Sequence, residues 1–195
     1  MSRLEQQMKF ILELDKLKYI QRQTYVADAS KKENDAEHSW HMALMCILLS
    51  EYANEPIDKL KVITMILIHD AVEIDAGDTY AYDEAANATK RERELLAAER
   101  IFKLLPEDQA AELRALWDEF EENVTPEAKF AHTLDNLQPI MLNDATGGRA
   151  WREHEVRLSQ IEKRNQKTGE GSEVLWDYAK SLVMKNVEIG NVKNM

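Results

Sequence analysis

Cysteine, proline, glycine and long apolar runs are all scarce in this chain. The one cysteine, Cys46, rules out an intrachain disulfide. It falls in the apolar stretch from Ala43 to Leu49, where a free thiol behaves as a small buried hydrophobe. A reducing, cytoplasmic location is the expectation. No apolar run approaches the roughly 20 residues that a membrane-spanning helix needs. Charges at Arg3, Glu5, Lys9, Glu13 and Asp15 leave no apolar core for a secretory signal, so none is expected. Basic residues are outnumbered, 25 against 36 acidic ones, for a net charge of −11. A nucleic-acid partner, which needs a basic footprint to displace counterions, is therefore not expected. A small anion stays compatible, because one arginine or one metal ion can overrule the global field locally.

What is present suits a globular protein. With 195 residues, 44% hydrophobic and 31% charged, the chain fits one domain with a sizeable core. Four prolines and six glycines punctuate a pattern that otherwise reads as helix throughout. Leu4, Met8, Ile11, Leu12 and Tyr19 form a helical stripe, predicting a first helix over about 2–20. The polar stretch Asp28 to Asp35 reads as a loop. It ends in Asn34-Asp-Ala-Glu37, the spacing of a capping box, so a second helix should run from about Asp35 to Ala53 with His38 in its first turn. After Pro56 an apolar helix reaches about Asp70, with a further turn ended by Gly77. Tyr80 to Asp83 reads as a loop or short helix. Thr89 to Glu92 has capping-box spacing and opens the next helix, and another spans about 107–122. Thr125-Pro126 starts a helix carrying Asp135, ended by Gly147-Gly148. A charged helix over about 150–167 and a last one to about Val187 complete an all-α reading with no strand alternation.

His69-Asp70 closes the apolar run Val62 to Ile68, with His38 upstream and Asp135 downstream. Two imidazoles and two carboxylates make a divalent-metal set, and a bound metal can turn water into a nucleophile at neutral pH. Ligands of nitrogen and oxygen without thiolate suit Mn, Co, Fe, Zn, Ni or Mg. Taken singly, each residue is more often an ordinary satisfied side chain, and only long-range folding can unite them. Pro139 lies four residues after Asp135, where its ring disturbs the helix at that carbonyl. A kink there either aims the carboxylate or simply fits the bundle.

Two stretches, Ala36-Glu-His38-Ser-Trp-His-Met-Ala-Leu44 and Leu67-Ile-His69-Asp70-Ala-Val-Glu73-Ile-Asp-Ala-Gly77-Asp78, resemble the HD-domain phosphohydrolase superfamily. They are most similar to its 5′-deoxynucleotidase-like group, over roughly Gln21 to Gly148. The resemblance implies a single HD-domain helical bundle over 1–195, with a metal-site core at about 21–148 and C-terminal helices at about 150–190. It implies one divalent metal ion held by His38, His69, Asp70 and Asp135. Glu73 would orient or deprotonate the attacking water, and Asp78 would protonate the leaving oxygen or bind the sugar. Arg22 would bind phosphate through its forked donors. The substrate would be a nucleoside 5′-monophosphate, deoxy forms included, and the assembly a homodimer, with no nucleic-acid or membrane partner. Gln23 departs from the group, which has tryptophan there, and that puts sugar selectivity in question.

His41 and His132, each one turn from a proposed ligand, read as supporting or packing residues. The segment from Gly147 to Trp151 reads as an interhelical turn or a cap over the pocket. Other readings compatible with the sequence are an HD phosphohydrolase acting on a nucleotide pyrophosphate or cyclic phosphodiester, and a non-catalytic nucleotide-sensing helical protein.

Overall fold

The computed structural model describes residues 1–78 and 89–194; the Tyr80 to Asp83 stretch lies outside them. Helix α1, Arg3–Leu14, opens on a reciprocal cap between Ser2 and Glu5 and tightens into a 3-10 turn at Asp15–Tyr19. It buries Phe10 and Leu17, while Leu4, Met8, Ile11, Leu12 and Tyr19 are exposed. The stripe that predicted the helix is thus its outer face, because a period shows which residues share a side and not which side is covered.

The loop expected before the second helix is half of a hairpin. Strand β1, Gln21–Tyr25, pairs antiparallel with β2, Lys32–Asn34, through Gln21 opposite Asn34 and Tyr25 opposite Lys32. Four residue steps on one strand face two on the other, so the ladder is irregular between those pairs. The hairpin escaped notice because its residues are polar. Arg22, Gln23 and Thr24 line a cleft, and no apolar alternation marks them.

Helix α2, Asp35–Leu49, starts at the expected box. The Asn34 side chain accepts from Glu37 N at 2.9 Å, and Glu37 accepts from Asn34 N at 3.1 Å. Helix α3, Lys59–Ile68, is capped by Asp58, then tightens at His69–Val72 into a 3-10 turn before α4, Glu73–Ala76. Gly77 ends that segment at φ +75°, a value that favours glycine. Helix α5, Lys90–Phe102, follows Thr89, whose side chain makes no capping bond; that expected box does not form. Helix α6 is Glu107–Glu122, and α7 is Pro126–Ala145, capped by Thr125 and continuous through Pro139.

The charged helix expected over 150–167 is two helices, α8 at Arg149–Glu153 and α9 at Leu158–Arg164. Between them Glu155 takes a positive φ and Val156 is buried, its carbonyl accepting from Lys193 N at 2.9 Å. That tertiary pairing breaks a helix that local propensity would continue. Helix α10, Glu173–Glu188, closes the fold on a Ser172 cap.

Two apolar clusters form the interior. One joins α2, α3, α7 and α10 through Met42, Met65, Ile66, Phe130 and Leu134. The other joins α1, α5, α6 and the 3-10 turn through Phe10, Ile68, Val72, Ile101 and Trp117. Each such side chain contributes roughly 1.5–3 kcal/mol on burial. His69-Asp70 falls on the seam between them. Trp117 Nε1 donates to the His69 carbonyl at 3.1 Å, which ties the seam together.

Candidate active site

His38, His69 and Asp135 offer ligand atoms that all lie within 4.8 Å of one another, so residues far apart in sequence do converge. His38, in the first turn of α2, is fully buried. Its Nδ1 is 3.1 Å from Gln138 Oε1, and its Nε2 is 3.0 Å from Asp135 Oδ1. Gln138 donates its Nε2 to Glu33 at 2.6 Å, which leaves Oε1 to accept from the imidazole. His69 Nδ1 lies 2.7 Å from the Ile66 carbonyl, to which it must donate. In the neutral ring its Nε2 then carries the lone pair, 3.1 Å from Asp70 Oδ1 and 3.9 Å from Asp135 Oδ1.

Two imidazole lone pairs thus face two carboxylates. Neutral imidazole repels an anion there, so the arrangement calls for a proton or a cation on each Nε2. The histidines answer as isolated groups would. Burial opposes a charge on His69, yet Asp70 outweighs it and raises the pKa to about 9. Burial and Arg22 oppose a charge on His38, but bonding to Asp135 and Glu33 raises it too. A divalent cation satisfies the same demand once. Donors bound at 2.0–2.2 Å to one tetrahedral ion sit about 3.4 Å apart, within the range of these separations. His38, His69, Asp70 and Asp135 therefore fit a metal ion, with Gln138 and the Ile66 carbonyl fixing the imidazole tautomers.

Beside this set lies a buried group of carboxylates around Arg22. Asp35, Asp70 and Glu73 approach within 4.8 Å of one another. Arg22 Nη1 bonds Asp70 Oδ2 at 2.9 Å and lies 3.5 Å from Asp35 Oδ1, with its Nε 3.8 Å from Glu33 Oε2. Burial first, and then Asp70, lift Asp35 to about 7 and Glu73 well above the usual carboxylate range. Burial also raises Asp78, against the pull of Arg22.

Two cavities meet at the centre. One is walled by Arg22, Gln23, Thr24, Asp78, Pro139 and Trp151, the other by His69, Glu94, Phe120, Glu121, His132 and Lys167. Asp70, Glu73, Lys90, Asp135, Asn136 and Arg164 line both. All seven residues singled out in the sequence therefore lie in or beside one cleft. Gln23 accepts from Lys32 at 2.6 Å. The Gly147-Gly148 turn places Trp151 in the wall of the first cavity, so a plain turn also shapes the pocket.

His41 and His132 stand apart from the ligand set. His41 Nδ1 is 3.2 Å from Gln138 Nε2, behind His38. His132 Nε2 bonds the Phe120 carbonyl at 2.8 Å and its ring stacks on Phe120. Sequence reasoning missed Glu33, Asp35, Gln138, Lys90 and Arg164. Gln138 was within reach of it, since it lies three residues after Asp135 on the same face of α7.

Comparison with known proteins agrees with this geometry. Residues 14–176 match the HD domain family. A 5′-deoxynucleotidase HDDC2 of Bos taurus is 31% identical over 135 residues, 69% of this chain. The chain spans 64% of that relative's length, just under two thirds. The Dictyostelium discoideum 5′-deoxynucleotidase HDDC2 is 30% identical over 140 residues, 69% of this chain and 74% of its own. A solved structure, a predicted metal-dependent phosphohydrolase from Magnetospirillum magnetotacticum MS-1, is 50% identical with a TM-score of 0.94, covering 98% of this chain and 96% of that one. The chain belongs to the HD-domain family.

Proposed function

We propose that this protein is a metal-dependent phosphohydrolase that cleaves nucleoside 5′-monophosphates, deoxy forms included, to nucleoside and inorganic phosphate. The observation that carries the reading is the pair of imidazoles whose Nδ1 atoms are pinned and whose Nε2 atoms face Asp70 and Asp135. The names of the relatives supply the substrate class.

His38, His69, Asp70 and Asp135 hold the ion. When bound, it supplies Lewis acidity to a phosphate oxygen and lowers the pKa of water. Glu73, buried beside Asp70, takes the proton from the attacking water. Asp78, in the wall of the first cavity, gives a proton to the leaving 5′-oxygen or holds the sugar. Arg22, in the cavity wall and bonded to Asp70 at 2.9 Å, helps neutralise the phosphate. Gln23 and Thr24, with Trp151, face the nucleoside, and Gln23 presents a polar edge where the related group has an aromatic one.

The remaining expectations join the same proposal. The chain forms one HD domain and works in the cytoplasm; no helix among the described residues is long and apolar enough to cross a membrane. A homodimer is the proposed assembly, and it is supported by exposed apolar residues on two helices, Met8, Ile11 and Leu12 of α1 and Trp40, Leu44, Ile47 and Leu48 of α2.

A phosphate-release screen over nucleoside mono-, di- and triphosphates with Mn, Co, Fe, Zn, Ni and Mg tests the activity. Release of nucleoside and phosphate from monophosphates is expected. Silence with every monophosphate, or release of pyrophosphate or a monophosphate from larger substrates, overturns it.

A further inference from the structure

The metal centre is crowded with negative charge before any substrate arrives. Glu33, Asp35, Asp70, Glu73 and Asp135 are all buried or nearly so. Arg22 is hydrogen-bonded to Asp70 at 2.9 Å and also lies 3.5 Å from Asp35 and 3.8 Å from Glu33. A phosphate dianion needs donors beyond Arg22 that are less fully committed to these carboxylates.

We propose that Lys90 and Arg164 form the phosphate clamp of this site, gripping the phosphoryl oxygens in the cavity that Arg22 also lines. This rests on the phosphohydrolase reading above. Both side chains line both cavities, so they stand where the two meet over Asp70, Glu73 and Asp135. They come from separate elements, Lys90 from the first residue of α5 and Arg164 from the last residue of α9. Arg164 makes one long ion pair, Nη2 to Asp135 Oδ2 at 3.7 Å, beyond hydrogen-bond distance, against the three carboxylates around Arg22. Lys90 Nζ is ion-paired with Glu94 at 3.3 Å, and among the described residues no ion pair joins it to Asp70 or Asp135.

Placement supports the same role. A lysine in the first turn of a helix opposes the macrodipole and is mildly unfavourable there. Here it lines the same two cavities as Arg164, in a protein of net charge −11. Two cations there make a local positive field that the overall charge works against. A guanidinium offers paired donors in a plane and an ammonium a compact point charge, a combination that suits three phosphoryl oxygens. The chemical class is a phosphomonoester dianion, or inorganic phosphate as product.

Lys90→Gln, Arg164→Ala and Arg164→Lys test the clamp, with the remote Lys103→Ala as a charge control. Two readouts apply to each metal-loaded protein: KM and kcat on the best monophosphate, and the rise in Tm on adding inorganic phosphate. Losing one charge-assisted contact should weaken phosphate binding about tenfold or more. KM and the phosphate inhibition constant should rise together in Lys90→Gln and Arg164→Ala. Arg164→Lys should recover part of the loss, and Lys103→Ala none should be seen. Wild-type phosphate affinity in Lys90→Gln and Arg164→Ala overturns the clamp while leaving the hydrolase reading intact. If the wild type hydrolyses no phosphomonoester, the hydrolase reading fails, and the Tm response to phosphate still decides whether the clamp exists.

Discussion

Gln138 Oε1 sits 3.1 Å from Nδ1 of His38, and through that contact a buried amide decides which imidazole nitrogen is free. The amide itself is oriented by Glu33. Gln138→Leu removes the tautomer lock and leaves Glu33 without its donor. Metal affinity should fall about 10- to 100-fold, as for other groups that orient a ligating histidine. Competition against a chelator of known affinity measures it, and an unchanged dissociation constant would sink this account of the site.

Glu73 has the opposite profile. Its carboxyl is outside the four-residue ligand set but lines both cavities. Glu73→Gln keeps the shape and removes the base. Turnover should drop about 10²- to 10⁴-fold, with metal content by elemental analysis equal to wild type. Loss of metal along with activity would instead make Glu73 a ligand.

Cys46 is fully buried in the cluster that joins α2, α3 and α7, and burial raises its thiol to about 11. The thiolate is the reactive form, so a native protein at pH 8 should resist iodoacetamide, while the urea-unfolded chain reacts at the rate of an ordinary thiol. Mass spectrometry of both samples checks this. Fast labelling of the folded protein contradicts the packing described for α2.

The outer faces of α1 and α2 carry the dimer prediction. Leu44→Glu combined with Ile11→Glu places charge on that face without touching a buried residue. Sedimentation or light scattering should show a dimer for the wild type and a monomer for the double variant, with far-UV circular dichroism unchanged. A wild-type monomer at micromolar concentration would remove the proposed assembly.

The readable parts of this fold were those that local chemistry decides. Asn34 and Glu37 satisfy each other's backbone, Thr125 precedes a proline that needs no donor, and Gly77 accepts a left-handed φ. These rules act over three or four residues, so they place His38 and Asp135 on their helices from sequence alone. The convergence of His38, His69 and Asp135 was legible only through the resemblance of two stretches to a known family, since no local rule joins residues so far apart. Other features depend on partners distant in sequence. Val156 bonds Lys193, and so one charged helix becomes two. The 21–25 strand needs the 32–34 strand before its polar residues look like anything but loop. Leu4 and Ile11 share a face that periodicity finds, but solvent lies beyond it. Asp35 reads locally as the first residue of a capped helix, and only the approach of Arg22, Asp70 and Glu73 makes it part of the site.

The seam at His69 bears on the order in which the molecule assembles. His38 and Asp135 sit on helices of the first apolar cluster, whereas Ala71 and Val72, directly after the doublet, belong to the second. A chain that has condensed only its first cluster holds two ligands on formed helices and leaves His69-Asp70 at an unfinished edge. On the proposed ligand set, high-affinity metal capture should wait for both halves, and the ion would then be a late recruit and a reporter of completed folding.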